Sequence, residues 1–301
     1  MCGLAGVVIK QEIRTESNLN KIKKAFKYML IKADTRGGHA TGFAMINNSG
    51  QYIICKTNKD ALNFLSQQQT RENLNSFYEE ITLLMGHTRY ATKGSPKNNR
   101  NNHPIRTGNT IGTHNGSISN DNELFYKFDM ERYAQVDSEV IFRLYDESTS
   151  LKDFILNRLK LIQGRVALVW ADLEKPEYVY MIKANNPLEL AYISSLNILV
   201  YGSTKEIIKA GFNNYKIKFV DIKPNTVLRI NTNTLKIRKS QIKITKPIVS
   251  STFNKKLGVA VNSYYEHTVN AFVPRFSYGD KQTNLFKKLK ASDGSTIKTI
   301  S

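Results

Sequence analysis

The chain opens with MCGLAG, residues 1–6, which places a cysteine directly after the initiator methionine. Because the side chain of cysteine is small, the methionine can be removed in the cell, and Cys2 is then left with both a thiol and a free α-amine. The thiolate is the reactive form of cysteine, and an α-amine titrates at roughly 7.7–8.0, close to neutral pH. Cys2 can therefore supply a nucleophile and its own general base. Taken alone, however, such a stretch more often marks a small apolar residue that opens an edge strand.

The composition is that of a globular protein with a substantial core. The 301 residues allow one large domain or one domain with an appendage, and a hydrophobic fraction of 41% is ordinary for such a chain. Two cysteines are too few for a disulfide framework. No apolar segment is long enough to span a membrane, and the N-terminal run lacks the charged region of a signal peptide. We therefore expect a cytoplasmic protein in a reducing compartment.

The net charge of +19 has two interpretations that the sequence leaves open. One is the compositional bias of an AT-rich genome, such as that of a phage or a small-genome bacterium, because lysine, asparagine and isoleucine are all abundant. The other is contact with nucleic acid or with an acidic partner. The basic residues are scattered and form neither an arginine-rich block nor a known DNA-binding motif.

The hydrophobic pattern predicts an α+β fold. Short apolar runs typical of strands dominate the chain after residue 164, and amphipathic segments are grouped apart from them. Long runs of strands with grouped helices indicate two packed sheets between helices. The first amphipathic segment predicts a helix that ends near Gly37, with Ser17 or Asn18 as its cap.

Three local features of the middle of the chain complete this prediction. Residues 93–104 are too polar for a core and are expected to form a surface loop of the kind that covers a site. Asn115-Gly116 follows an apolar strand and, by itself, is typical of a turn. Asp137 stands at the position of a helix cap, before an amphipathic segment.

The composition changes at about residue 240. Residues 240–301 hold ten lysines and arginines against three acidic residues, a net charge of +7, and they also contain seven aromatic residues. Aromatic content of this kind argues against simple disorder. We therefore expect a domain over residues 2–239, followed by a basic C-terminal extension over residues 240–301.

Six short motifs occur together in a joint order that is much more specific than any one of them. They are CGLAG (2–6), RG (36–37) with TG (41–42), GHTRYAT (86–92), HP (103–104), HNG (114–116) and VDSE (136–139). Over about residues 2–235 the chain resembles the class II glutamine amidotransferase domain. This N-terminal-nucleophile hydrolase is the glutaminase half of glucosamine-6-phosphate synthase and amidophosphoribosyltransferase. The resemblance implies a four-layer αββα sandwich of two antiparallel sheets.

The resemblance also implies a role for each main site residue. Cys2 would be the nucleophile, and the Asn115 side chain with the Gly116 backbone N–H would stabilise the oxyanion of the tetrahedral intermediate. Arg89 would grip the α-carboxylate of glutamine with its guanidinium fork. Asp137 would bind the α-ammonium group.

Further positions complete the implied site or depart from the family pattern. Arg36 would support the site near the nucleophile. Thr92 and His103 belong to the substrate-binding set, where His103 is expected to act through packing or loop stabilisation rather than in direct catalysis. Lys93 stands where better-known members often have histidine, and Tyr90 stands where several have tryptophan. These departures bear on affinity and loop closure more than on the reaction.

The leading hypothesis is an enzyme that hydrolyses L-glutamine to glutamate and ammonia through a Cys2 thioester, without a cofactor or a metal. The segment after residue 240 is too short for a synthase domain, and no phosphate-binding glycine loop is present. Ammonia would therefore pass to a separate synthase or modification partner. Two alternatives remain: an amidase for another substrate, and a catalytically retired fold that serves as a basic nucleic-acid- or partner-binding module.

Overall fold

The computed structural model describes residues 1–242, apart from Phe77 and Glu79. In chain order its strands are β1 (Gly3–Ile9), β2 (Ala40–Asn47), β3 (Tyr52–Thr57), β4 (Ile81–Arg89), β5 (Ile105–Thr107), β6 (Thr110–Ile118), β7 (Gly164–Asp172), β8 (Tyr178–Lys183), β9 (Glu189–Ile193), β10 (Ile198–Gly202), β11 (Ile217–Val220), β12 (Thr226–Asn231) and β13 (Ile237–Gln241). Its helices are α1 (Glu16–Ala33), α2 (Ala61–Ser66), α3 (Gln68–Asn75), α4 (Asp121–Lys127), α5 (Glu139–Asp146), α6 (Leu151–Asp153) and α7 (Lys205–Phe212). A π-helical turn and a 3-10 turn continue α6, over Phe154–Arg158 and Leu159–Leu161.

The strands form two antiparallel sheets. The first has seven strands in the order β11-β9-β10-β1-β4-β2-β3, and the second has six in the order β13-β12-β8-β7-β6-β5. Strand β1 is central in the first sheet, where it pairs with β10 on one side and β4 on the other. Cys2 is therefore attached directly to a strand that is paired on both sides.

The two sheets pack face to face and helices cover their outer faces. Leu4 and Val8 of β1 share a buried cluster with Met85 of β4 and Val169 of β7, so this cluster joins the two sheets. The opposite face of β1 packs against α1. A second cluster, which includes Phe142 of α5, covers the outer face of the second sheet. The predicted α+β fold, a four-layer αββα sandwich of two antiparallel sheets, is confirmed.

Two predicted helix starts are wrong. The N-cap of α1 is Thr15, whose hydroxyl accepts a hydrogen bond from the Asn18 backbone N–H at 3.3 Å, and not Ser17 or Asn18. Helix α5 begins after Ser138. Asp137 does not cap it, because its carboxylate turns away to accept the N–H of Ile118 at 2.6 Å.

The turn predicted at Asn115-Gly116 is also wrong. Strand β6 runs straight through both residues, and Gly116 lies opposite Val166 of β7. A Cβ atom at Gly116 would collide with the carbonyl oxygen of Arg165. The glycine therefore permits a close approach between two strands, where the sequence alone suggested a chain reversal.

The loop predicted over residues 93–104 is a surface loop only in its first part. Asn101, Asn102 and His103 are buried. Asn101 Nδ2 donates to the Ser95 carbonyl at 3.0 Å, and Asn102 Nδ2 donates to the Pro96 carbonyl at 2.7 Å. These polar side chains are buried because they satisfy the carbonyl groups of their own loop.

The basic C-terminal extension lies outside the described residues, except for the end of β13 and Ile242. The domain boundary at residues 239 and 240 stays a prediction. Among the described residues, no helix is long and apolar enough to cross a membrane.

Candidate active site

Cys2 lies where the ends of two neighbouring strands meet. The register of β1 and β4 places Gly3 opposite Thr88, and it therefore brings Cys2, which precedes β1, beside Arg89 at the end of β4. Cys2 is 8% exposed, and its Sγ accepts a hydrogen bond from the Tyr90 backbone N–H at 3.4 Å. The strand pairing thus fixes the position of the thiol.

Burial raises the pKa of the Cys2 thiol, and this effect outweighs the lowering effects of the Tyr90 N–H, the N-terminal amine and Arg89. The thiol is therefore protonated near neutral pH and needs a base to become a nucleophile. Met1 precedes it with 57% of its surface exposed. Removal of Met1 would release an α-amine on the same residue that carries the thiol.

Arg36 reaches the backbone of Cys2. It ends a short 3-10 turn over Asp34–Arg36, directly after α1. Its Nε donates to the Cys2 carbonyl oxygen at 3.1 Å. The Arg36 guanidinium therefore stabilises the backbone at Cys2.

A bridging serine links Asn115, in the second sheet, to strand β1. Asn115 is 1% exposed on β6, and its Nδ2 lies 3.4 Å from Ser203 Oγ. The same hydroxyl oxygen accepts the N–H of Leu4 at 2.9 Å, and the Ser203 N–H donates to the Leu4 carbonyl at 3.0 Å. Ser203 therefore connects strand β1 with the side-chain amide of Asn115. Sequence reasoning missed it, because a serine after a strand carries no distinctive signal.

Arg89 and Asp137 place opposite charges beside the thiol. They are 2% and 3% exposed, and the positive charge of Arg89 lowers the pKa of Cys2 while the negative charge of Asp137 raises it. Arg89 is the last residue of β4, in the first sheet. Asp137 precedes α5, which lies on the side of the second sheet. The structure therefore brings a thiol, an amide donor, a cation and an anion to one end of the sandwich.

The histidines nearby form a neutral stack. The rings of His87 and His103 lie 4.2 Å apart, and His87 Nε2 lies 3.0 Å from the His114 carbonyl oxygen. Burial lowers the pKa of His87 to about 3 and that of His103 well below its usual value. Both rings are therefore uncharged at neutral pH, which suits a packing role. Thr92, by contrast, lies exposed in the loop after β4.

Lys56 is a second residue that sequence reasoning missed. Its Nζ donates to the carbonyl oxygens of Asn102 and Pro104, at 2.7 Å and 2.8 Å. Burial, with a smaller effect from Arg89, lowers the pKa of Lys56 to about 8. Because the Asn102 side chain in turn accepts from Arg89 at 3.0 Å, Lys56 supports the arginine indirectly. A single lysine in the otherwise uncharged strand β3 was the available signal.

No cluster of three or more histidine, cysteine, aspartate or glutamate side chains that could hold a metal ion occurs within the described residues. The chemistry that the arrangement supports is attack by Cys2 Sγ on an amide carbonyl. Asn115 would stabilise the developing oxyanion.

Curated proteins of two kinds are similar to this chain. The glutamine–fructose-6-phosphate aminotransferase of Staphylococcus epidermidis is 28% identical over 207 residues, which are 66% of this chain and 32% of that enzyme. A 7-cyano-7-deazaguanine synthase of Saccharolobus solfataricus is 26% identical over 78% of this chain and 49% of its own length. A second such synthase, from Sulfurisphaera tokodaii, is 27% identical over 93% of this chain and 60% of its own length. The chain thus spans about a third to three fifths of these relatives. No family model matches it.

Solved structures share the fold of the described domain. The glutamine phosphoribosylpyrophosphate amidotransferase of B. subtilis has a TM-score of 0.62 and 19% identity, over 81% of this chain and 50% of that one. A glutamine aminotransferase class-II domain protein from Silicibacter pomeroyi has a TM-score of 0.53 and 13% identity, over 81% of this chain and all of that one. The described part of this chain is accordingly a domain with the fold of the class II glutamine amidotransferases.

Proposed function

We propose that this chain hydrolyses L-glutamine to glutamate and ammonia with Cys2 as an N-terminal nucleophile. The observation that carries the proposal is the placement of the buried Cys2 thiol directly before β1, next to the charges of Arg89 and Asp137 and on the strand that Ser203 links to Asn115. A protonated thiol in this position requires a nearby base, and the α-amine of Cys2 is the base that processing of Met1 would supply.

The reaction then proceeds in two halves. The α-amine takes the thiol proton while Sγ attacks the side-chain amide carbon of glutamine. Asn115 Nδ2 and the Gly116 N–H stabilise the oxyanion that forms. When the intermediate collapses, the carbon–nitrogen bond breaks, the amine returns the proton to the leaving nitrogen, and ammonia departs from a Cys2 thioester. Water then hydrolyses the thioester to glutamate and regenerates the thiol.

Arg89 and Asp137 account for the choice of a free amino acid. A guanidinium binds a carboxylate with two parallel hydrogen bonds, and a carboxylate binds an ammonium group as its counter-ion. A peptide or acyl substrate lacks at least one of these two charged groups and would forgo the corresponding ion pair with the site. The pair therefore favours L-glutamine over the substrates of other N-terminal-nucleophile amidases.

The test of the proposal is an assay of purified protein together with its intact mass. We expect glutamate to appear when glutamine is added, and we expect the mass to show that Met1 is absent, because an acylated Cys2 nitrogen cannot act as the base. The matched control is the wild-type protein with Met1 retained, produced while the host aminopeptidase is inhibited, and it should be inactive. An active preparation that uniformly retains Met1 would disprove the mechanism.

A separate synthase is the proposed acceptor of the ammonia. The similarity to the S. tokodaii 7-cyano-7-deazaguanine synthase covers 93% of this chain, so it necessarily extends past residue 242 into the basic extension. The similarity to the aminotransferase covers only 66%. This longer match favours a partner that builds a nitrile on a 7-deazaguanine base, since the nitrile nitrogen must come from an ammonia source. The extension is the proposed docking element.

Isotope transfer tests this partner. With glutamine labelled with ¹⁵N at the side-chain amide, we expect the label to enter the product of a 7-cyano-7-deazaguanine synthase in preference to unlabelled free ammonium, because a docked pair shelters the ammonia. Removing the residues after Pro247 should leave glutamine hydrolysis intact but abolish this preference. Equal use of free ammonium by the intact pair would contradict the proposed coupling.

Direct binding of nucleic acid stays a prediction from charge, and it would weaken steeply with salt.

A further inference from the structure

Arg89 is occupied by the chain itself. Its Nη2 donates to the carbonyl oxygens of Lys93 and Gly94, at 2.6 Å and 2.8 Å, and its Nη1 donates to Asn102 Oδ1 at 3.0 Å. A guanidinium binds a carboxylate with two parallel N–H bonds along one of two edges, Nη1 with Nη2 or Nε with Nη2. Both edges include Nη2. The two loop carbonyls therefore engage the donors that bidentate binding of a substrate carboxylate would need.

The side chain of Lys93 fixes this segment to helix α4. Its Nζ lies 2.6 Å from Asp121 Oδ2 and 3.3 Å from Asn122 Oδ1. Asp121 is 2% exposed in the first turn of α4, and the Arg132 guanidinium also pairs with it. The residue that offers its carbonyl group to Arg89 is thus attached through its own side chain to a buried anion.

The ion pair persists at neutral pH. Burial acts to raise the pKa of Asp121, but hydrogen bonds from Lys93 and Arg132 outweigh it and hold the pKa below its usual value. The carboxylate is therefore charged wherever the domain is folded and near neutral pH. On the far side, the loop is held by Asn101 and Asn102 through the carbonyl groups of Ser95 and Pro96.

We propose that the Lys93–Asp121 ion pair keeps the carbonyl groups of Lys93 and Gly94 on Arg89, so that an amino-acid carboxylate must displace them in order to bind. This inference rests on the proposed function, in which Arg89 is the carboxylate-binding group. Lys93 is then a positioning residue: it sets the affinity for the substrate through Arg89 and does not touch the reacting atoms. Weakening the ion pair lowers the cost of displacing the loop and should tighten binding.

The substitution Lys93→Met tests the proposal, because methionine keeps the length of the side chain and removes its charge. L-Glutamate is the probe, since it carries the same α-carboxylate and α-ammonium groups and is not consumed. By titration calorimetry of the full chain we expect the Kd for L-glutamate to fall by about three- to fivefold, the size expected for a partly exposed ion pair. The KM for glutamine should fall to match, with kcat unchanged.

Lys97→Met is the matched control, because Lys97 is an exposed residue of the same loop, and it should keep the wild-type affinity. Asp121→Asn should reproduce the effect of Lys93→Met, and the double variant should add little to either single change. An unchanged or weaker affinity for L-glutamate in Lys93→Met would overturn the proposal.

Amide hydrogen exchange separates this inference from the proposed function. Without any ligand, exchange over residues 91–98 should be faster in Lys93→Met than in the wild type or in Lys97→Met. If no variant binds L-glutamate, the proposed function fails, yet the exchange experiment still decides whether the ion pair holds the loop. Equal exchange in all three proteins would overturn the role of Lys93.

Discussion

Replacing Cys2 by alanine is expected to abolish the release of glutamate from glutamine while leaving the domain folded. The variant keeps the α-amine and the oxyanion donors but has no nucleophile, so no thioester forms. Within the described residues the thiol hydrogen-bonds only to the backbone of Tyr90. Alanine is also small enough for Met1 to be removed. The measurements are a glutamate assay, and titration with L-glutamate, which should still bind.

Cys55→Ala is the control for this prediction. Cys55 is buried in β3, where its Sγ lies 3.6 Å from Thr70 Oγ1, away from the proposed site. This variant should hydrolyse glutamine at the wild-type rate. A glutamine analogue with an electrophilic side chain should add its mass to the peptide that contains Cys2. Labelling of Cys55 instead would place the active site elsewhere.

Asn115→Ala should lower kcat by roughly 10²–10³-fold, the usual cost of losing one oxyanion donor. The side chain would donate to an oxygen that becomes negatively charged only during the reaction, so KM should change much less than kcat. Steady-state kinetics with glutamine separate the two constants. The residual activity would come from the Gly116 N–H, which the substitution leaves in place.

Asn109→Ala is the matched control for the asparagine prediction. Asn109 is exposed and directly precedes the first residue of β6, at the end of the strand opposite to Asn115. Its side-chain amide donates to Glu174 at 2.7 Å. Its loss should leave both constants unchanged. If Asn115→Ala raised KM and left kcat at the wild-type value, Asn115 would be a substrate-binding residue and the oxyanion assignment would be wrong.

The sequence alone was sufficient for the layered fold and for nominating the residues that meet at one end of it. Apolar runs of strand length predicted two packed sheets, because burial on both faces of a strand requires an apolar residue at nearly every position. Cys2 and Asn115 could be nominated because they belong to short motifs whose joint order is specific. Such motifs reflect the chemistry of individual side chains, which depends on residue type. Residue type is known from the sequence without the fold.

Only the tertiary structure decided what each motif does in its surroundings. Asn115-Gly116 is typical of a turn, but it lies within β6 because that strand pairs with β7 in unbroken register from Thr110 to Ile118. Ser203 meets Asn115 across 88 positions of sequence, and Lys56 reaches Asn102 across 46. Contacts of this kind depend on strand order and register, which are set by the packing of the whole domain. The partners therefore cannot be paired from the sequence around each residue.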